Sequence, residues 1–94
     1  MNTMQPFDPA RHLDDEEVIQ AYLDAALEDE TPGAFLVALG NVAKARGMTE
    51  VAKAAGVGRA SLYKTLTAGA NPEFSTIEKV VRALGLKLVV APAA

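Results

Sequence analysis

Residues 49–67 read Thr-Glu-Val-Ala-Lys-Ala-Ala-Gly-Val-Gly-Arg-Ala-Ser-Leu-Tyr-Lys-Thr-Leu-Thr, and this stretch predicts two short helices hinged at Gly56-Val57-Gly58. In the first, Val51, Ala52 and Ala55 share one face. In the second, Leu62 and Leu66 are spaced i and i+4 and point the same way. A short Gly-containing turn between two such pieces is the signature of a helix-turn-helix. Ala52 falls where the helices cross, where a larger side chain would force them apart. Gly56 lies just past the first helix, where a left-handed conformation costs glycine little. Val57 is the apolar plug under the turn. The expected function of such a unit is DNA binding.

Working outward, the chain has 94 residues, half of them apolar, and no cysteine. That length suits one domain whose small core would gain from dimerisation. The lack of cysteine removes disulfides and thiolate metal sites and fits a cytoplasmic protein. No apolar run is long enough to span a bilayer, and Met1–Phe7 lacks the features of a signal peptide.

The net charge of −3 hides a division along the chain. Residues 1–32 carry nine acids against Arg11 alone, a balance of −8. Residues 33–94 carry eight bases against Glu50, Glu73 and Glu78, a balance of +5. Such asymmetry predicts two surfaces with different partners. An acidic helix that merely keeps the protein soluble would give the same numbers.

The expected fold is all-α, with about five helices. Residues 1–12, with Pro6 and Pro9, read as an extended or frayed arm. An acidic helix is expected over 14–30. Asp14 is its N-cap, Glu17 completes a capping box, and Leu13 staples onto Val18. Val18, Ile19, Tyr22, Leu23, Ala26 and Leu27 form its apolar stripe. Thr31 caps the next helix with Pro32 at its first position. Phe35, Leu36, Leu39, Val42 and Ala43 supply that helix's buried face, and Gly47 ends it. After the loop 68–72, Ser75 and Glu78 predict a second capping box. It opens a helix through Ile77, Val80, Val81 and Leu84 that stops at Gly85. Leu86–Val90 reads as a short strand, or an extended packed tail. A strand there needs a partner, such as its symmetry mate.

In the helix-turn-helix reading the second helix starts near Gly58 or Arg59 and faces base edges in a major groove. Arg59, whose fork can bond guanine O6 and N7 together, is the leading candidate for base contact. Ala60 can pack on a thymine methyl, and Ser61 and Tyr63 can reach bases or phosphates. Lys53 and Lys64 are assigned to phosphates, as are the backbone N–H groups opening the helix at Thr49. Catalysis finds no support. His12 is the only histidine and has no partner ligand, so no zinc site is expected. Asp14-Asp15-Glu16-Glu17 point in different directions on a helix and cannot converge on one ion. No phosphate loop or activated nucleophile is present, so neither enzyme activity nor a cofactor is expected.

Several stretches then look familiar: Phe7-Asp8, Leu13–Tyr22, Ala43–Thr49, Ser61-Leu62-Tyr63-Lys64, Asn71–Thr76 and Ala83–Leu88. Across residues 7–88 the chain resembles the addiction-module antidote proteins, HigA-like antitoxins with a Cro/CI-type DNA-binding domain. It departs at Gly58, where that family more often has serine or a similar polar residue. The resemblance implies a type II toxin–antitoxin system. Such a protein blocks a small basic toxin of the RelE/HigB kind by direct binding and represses its own operon as a homodimer. The −8 segment then has a natural partner, with Asp15, Glu16, Ile19, Tyr22, Leu23, Glu28 and Asp29 as the expected toxin-binding surface. The rival reading packs Val18, Ile19, Tyr22 and Leu23 onto residues 35–43 as core, and one helix has faces for both. A dimer would present two recognition helices about 34–36 Å apart. The rival readings are a prophage-type repressor without a toxin, and a protein-interaction module that no longer binds DNA. A short basic reading frame beside the gene would separate the first of these from the antitoxin.

Overall fold

The computed structural model describes residues 15–93, so Leu13, Asp14, His12 and the expected arm at 1–12 lie outside the described residues. The described chain contains five helices in the order α1 Glu16–Glu28, α2 Ala34–Arg46, α3 Met48–Ala55, α4 Arg59–Thr65 and α5 Phe74–Ala83. There is no strand among the described residues.

α1 opens one residue later than the sequence suggested. Asp15 is the N-cap, and its carboxylate accepts the Glu17 N–H at 2.8 Å and the Val18 N–H at 3.4 Å. The wide apolar stripe of α1 then divides. Ile19 and Leu23 enter the core, Val18, Tyr22 and Ala26 are half-buried against it, and Leu27 stays 59 % exposed. A neighbour on one side can cover only part of so broad a stripe.

α2 starts two residues later than expected. Thr31 and Pro32 belong to a turn, in which Asp29 accepts the Thr31 N–H and Thr31 C=O accepts the Ala34 N–H at 3.1 Å. Gly33, at φ +79°, is the helix N-cap. A Cβ there would collide with the Ala68 carbonyl, because this turn presses on the loop after α4. Glycine is therefore needed twice over, for its backbone angle and for its missing side chain. Along α2, Ala38, Leu39, Gly40, Val42 and Ala43 are buried while Phe35 and Leu36 are half-buried. Gly47 ends α2 as expected and also serves as the N-cap of α3.

α3 and α4 are joined by Gly56-Val57-Gly58. Gly56 takes the left-handed conformation at φ +74°. The Val57 N–H bonds Ala52 C=O at 3.0 Å and the Gly56 N–H bonds Lys53 C=O at 3.2 Å. This 6→1 and 5→2 pair closes a Schellman motif. Ala52, Ala55, Leu62 and Leu66 are buried around it, and Val57 is half-buried.

α5 opens at Phe74, not through a Ser75–Glu78 box. Glu73 is its N-cap with no side-chain bond, and its C=O accepts from Thr76 and Ile77 at 3.1 and 3.2 Å. Ser75 and Glu78 consequently lie inside the helix. Ile77, Val80, Val81 and Leu84 are buried, and α5 packs on α3 while α1 packs on α2. Buried residues from all five helices form one cluster. The largest of them are Ile19, Leu39, Leu62 and Leu84, each contributing roughly 1.5–3 kcal/mol by burial.

Residues 86–90 form neither helix nor strand among the described residues. Leu86 is tied down through its N–H to Val81 C=O at 3.1 Å and is half-buried. Beyond it no described element offers a sheet edge, which is why a β-forming sequence stays a tail.

Candidate nucleic-acid interface and acidic face

With Leu62 and Leu66 turned inward, α4 presents Arg59, Ala60, Ser61, Tyr63 and Lys64 outward, and all five are exposed. Arg59 and Tyr63 lie one turn apart and engage each other. The guanidinium carbon stands 5.1 Å from the Tyr63 ring centroid, and Nη2 donates to the tyrosine hydroxyl at 3.3 Å. Such a cation–π contact at an exposed site holds a guanidinium only loosely. It orients Arg59 along the outer face of α4 and leaves its remaining donors exposed. The pairing follows from i,i+4 geometry and was readable in the sequence.

α4 begins at Arg59 with Gly58 as N-cap and no side-chain capping bond. A Cβ at Gly58 would meet nothing closer than Ser61 Oγ at 3.8 Å, so glycine is not sterically required there. Thr49 and Lys53 on α3 are also exposed. α3 opens at Met48, one residue before the expected start, so the backbone N–H groups of its first turn begin there. Glu50 shares that turn and weakens its attraction for an anion.

The acidic face has a different construction. Asp15, Glu16 and Glu28 are exposed, but Asp15 is committed to capping α1. Asp29 is committed as well. The Thr31 backbone N–H, at 2.8 Å, and then the Thr31 hydroxyl hold its carboxyl below the usual carboxylate range. The stability this turn supplies is thus present above the ordinary carboxylate pKa and is lost as pH falls through the lowered one. Ile19 and Leu23 are buried and anchor α1 instead of facing a partner. Tyr22 is half-buried, and its hydroxyl accepts from Asn41 Nδ2 at 2.8 Å, tying α1 to α2. The residues that sequence reasoning missed are Ala21 and Ala25. With Val18 and Tyr22 they floor a shallow apolar groove of about 440 Å³ on the outer side of α1, edged by Glu17. The i,i+4 spacing of two alanines beside the recognised stripe was the available signal.

No group of three or more His, Asp or Glu side chains among the described residues could hold a metal ion. None of the described helices is long and apolar enough to cross a membrane.

Comparison with known proteins adds two findings. Residues 3–92 match a family model described as "Probable addiction module antidote protein". A protein of Haemophilus influenzae (strain Rd), described only as uncharacterized, is 44 % identical over 87 residues, covering 93 % of this chain and 90 % of that protein. No solved structure matches the chain.

Proposed function

The chain belongs to the addiction module antidote family, and from that premise we propose that it is the antitoxin of a type II toxin–antitoxin module. It neutralises a small basic toxin of the RelE/HigB kind by direct binding. As a cytoplasmic homodimer it represses its own operon through a Cro/CI-type helix-turn-helix formed by α3 and α4. The observation that carries this reading is the pairing of two outward surfaces of opposite chemistry on one core. α4 exposes Arg59, Tyr63 and Lys64, whereas α1 exposes Glu16, Glu28 and an apolar groove.

The roles follow from position. Arg59 reads a guanine edge after leaving Tyr63, and Ala60 and Ser61 lie beside it at the start of α4. Tyr63, Lys64, Lys53 and the α3 N-terminus at Thr49 position the phosphate backbone. On α1, Glu16 and Glu28 steer the basic toxin, and Tyr22 supplies an amphipathic contact at the groove. Asp15 and Asp29 shape the ends of the helix, and Ile19 and Leu23 hold it to the body.

Two measurements test the reading together. The protein is co-expressed with the product of the adjacent gene, and it is titrated onto its own promoter in gel shifts at several salt concentrations. Relief of growth arrest, a copurifying complex and a promoter affinity that falls steeply with salt are expected. Unrelieved arrest with no complex sinks the antitoxin role, and the absence of a shift at low salt sinks the repressor role.

A further inference from the structure

A third exposed patch differs in kind from the two above. A groove of about 340 Å³ runs between the C-terminal half of α1 and the segment after α5. Its apolar lining includes Leu27, Leu86, Leu88 and Val89. Leu27 and Val89 are 59 % and 74 % exposed, and Val90 beside them is fully exposed. Among the described residues, nothing after the Leu86 N–H makes a backbone hydrogen bond. One acid, Asp24, and one base, Lys87, stand on the lining, and neither has an ion-pair partner among the described residues.

That balance identifies the occupant. A contact between two identical copies is self-complementary, so whatever residue i meets on j, residue j meets on i. The outer face of α1 carries acids and the outer face of α4 carries bases, so each would repel its own copy. The groove beside residues 86–90 carries one charge of each sign and an apolar centre, which suits a second copy. We propose that this chain dimerises here about a two-fold axis. The 86–90 segments of the two copies lie side by side over Leu27, and Asp24 faces the partner's Lys87. Unpaired backbone groups and exposed aliphatic side chains at 88–90 are covered in the same step. A ribbon of this length is marginal alone, so the apolar floor must share the stabilisation. The proposal rests on the two-copy reading of the preceding section, and the groove's lining includes no residue of α4 and none of Val18, Ala21, Tyr22 and Ala25.

Sedimentation velocity on the full chain alone, without DNA or toxin, tests it. The wild type should be a dimer at micromolar concentration. Val89→Lys should raise the dissociation constant by roughly tenfold or more without changing the thermal unfolding curve, since Val89 is 74 % exposed in the monomer. Asp24→Lys and Lys87→Asp should each weaken the dimer by roughly threefold, and the double variant should restore it. A dimer indifferent to Val89→Lys, with no restoration in the double variant, overturns this interface and leaves the two-copy reading standing. A wild type that stays monomeric at every concentration overturns both.

Discussion

α1 and α4 are built alike at the base and opposite at the surface. Each sends a pair of aliphatic side chains, four residues apart, into the same core: Ile19 and Leu23 from α1, Leu62 and Leu66 from the α4 region. Outward, α1 carries acids around an apolar groove, while α4 carries an arginine laid against a tyrosine with a lysine beside it. The difference teaches that anchoring and surface chemistry are separable on helices this short. The inner two positions hold the helix to the core, and the remaining ones set the charge and shape it presents.

The comparison can be broken most severely at its shared base. Ile19→Ala and Leu62→Ala should each cost roughly 2–5 kcal/mol, seen as a lowered urea midpoint. Because the two aliphatic anchors share one core, each should unfold both helices in a single transition. Separate transitions for the two would mean the faces sit on independent units.

A smaller effect sharpens the contrast at the surface. Arg59→Ala should cost about 1–3 kcal/mol of operator affinity in gel shifts, with toxin capture unchanged. Lys53→Ala should weaken binding evenly across sequences and reduce its salt dependence instead. On the other face, Glu16→Lys with Glu28→Lys should slow toxin association by roughly tenfold at low salt and leave the operator shift intact. These two acids are the cleaner choice, because Asp15→Lys also removes a helix cap worth about 1 kcal/mol. Smallest of all, Gly58→Ser should stabilise the protein by only a few tenths of a kcal/mol, read as a slight rise in melting temperature. A loss of stability there would mean the α3–α4 turn needs glycine after all.

Much of this architecture was legible in the residues. The Gly56 turn, the inward Leu62 and Leu66, and the stops at Gly47 and Gly85 all follow from local rules of helix ending and spacing, and they stand where those rules put them. The errors arose where distant parts of the chain meet. Nothing near Pro32 announces that the turn there presses on Ala68 and delays α2 to Ala34. Ser75-x-x-Glu78 has the pattern of a capping box, but the carbonyl of Glu73, one residue after Pro72, had already opened the helix. Leu86–Val90 has strand composition, yet a strand exists only where another offers its edge. The acidic face stayed open between surface and core for a related reason. The apolar stripe on α1 was visible, but which of its residues faced the core depended on where α2 lay. Ile19 and Leu23 therefore proved to be anchors, and Ala21 and Ala25 proved to be surface.

The central claim is that one core carries two recognition surfaces that work separately. It is tested most directly by one affinity measurement on two variants, Arg59→Ala and Glu16→Lys with Glu28→Lys, each assayed against both the promoter and the neighbouring gene's product. The account predicts a crossed pattern. The first variant loses operator binding and keeps the toxin, and the second keeps the operator and binds toxin more slowly. Variants that lose both activities together, or neither, would contradict it.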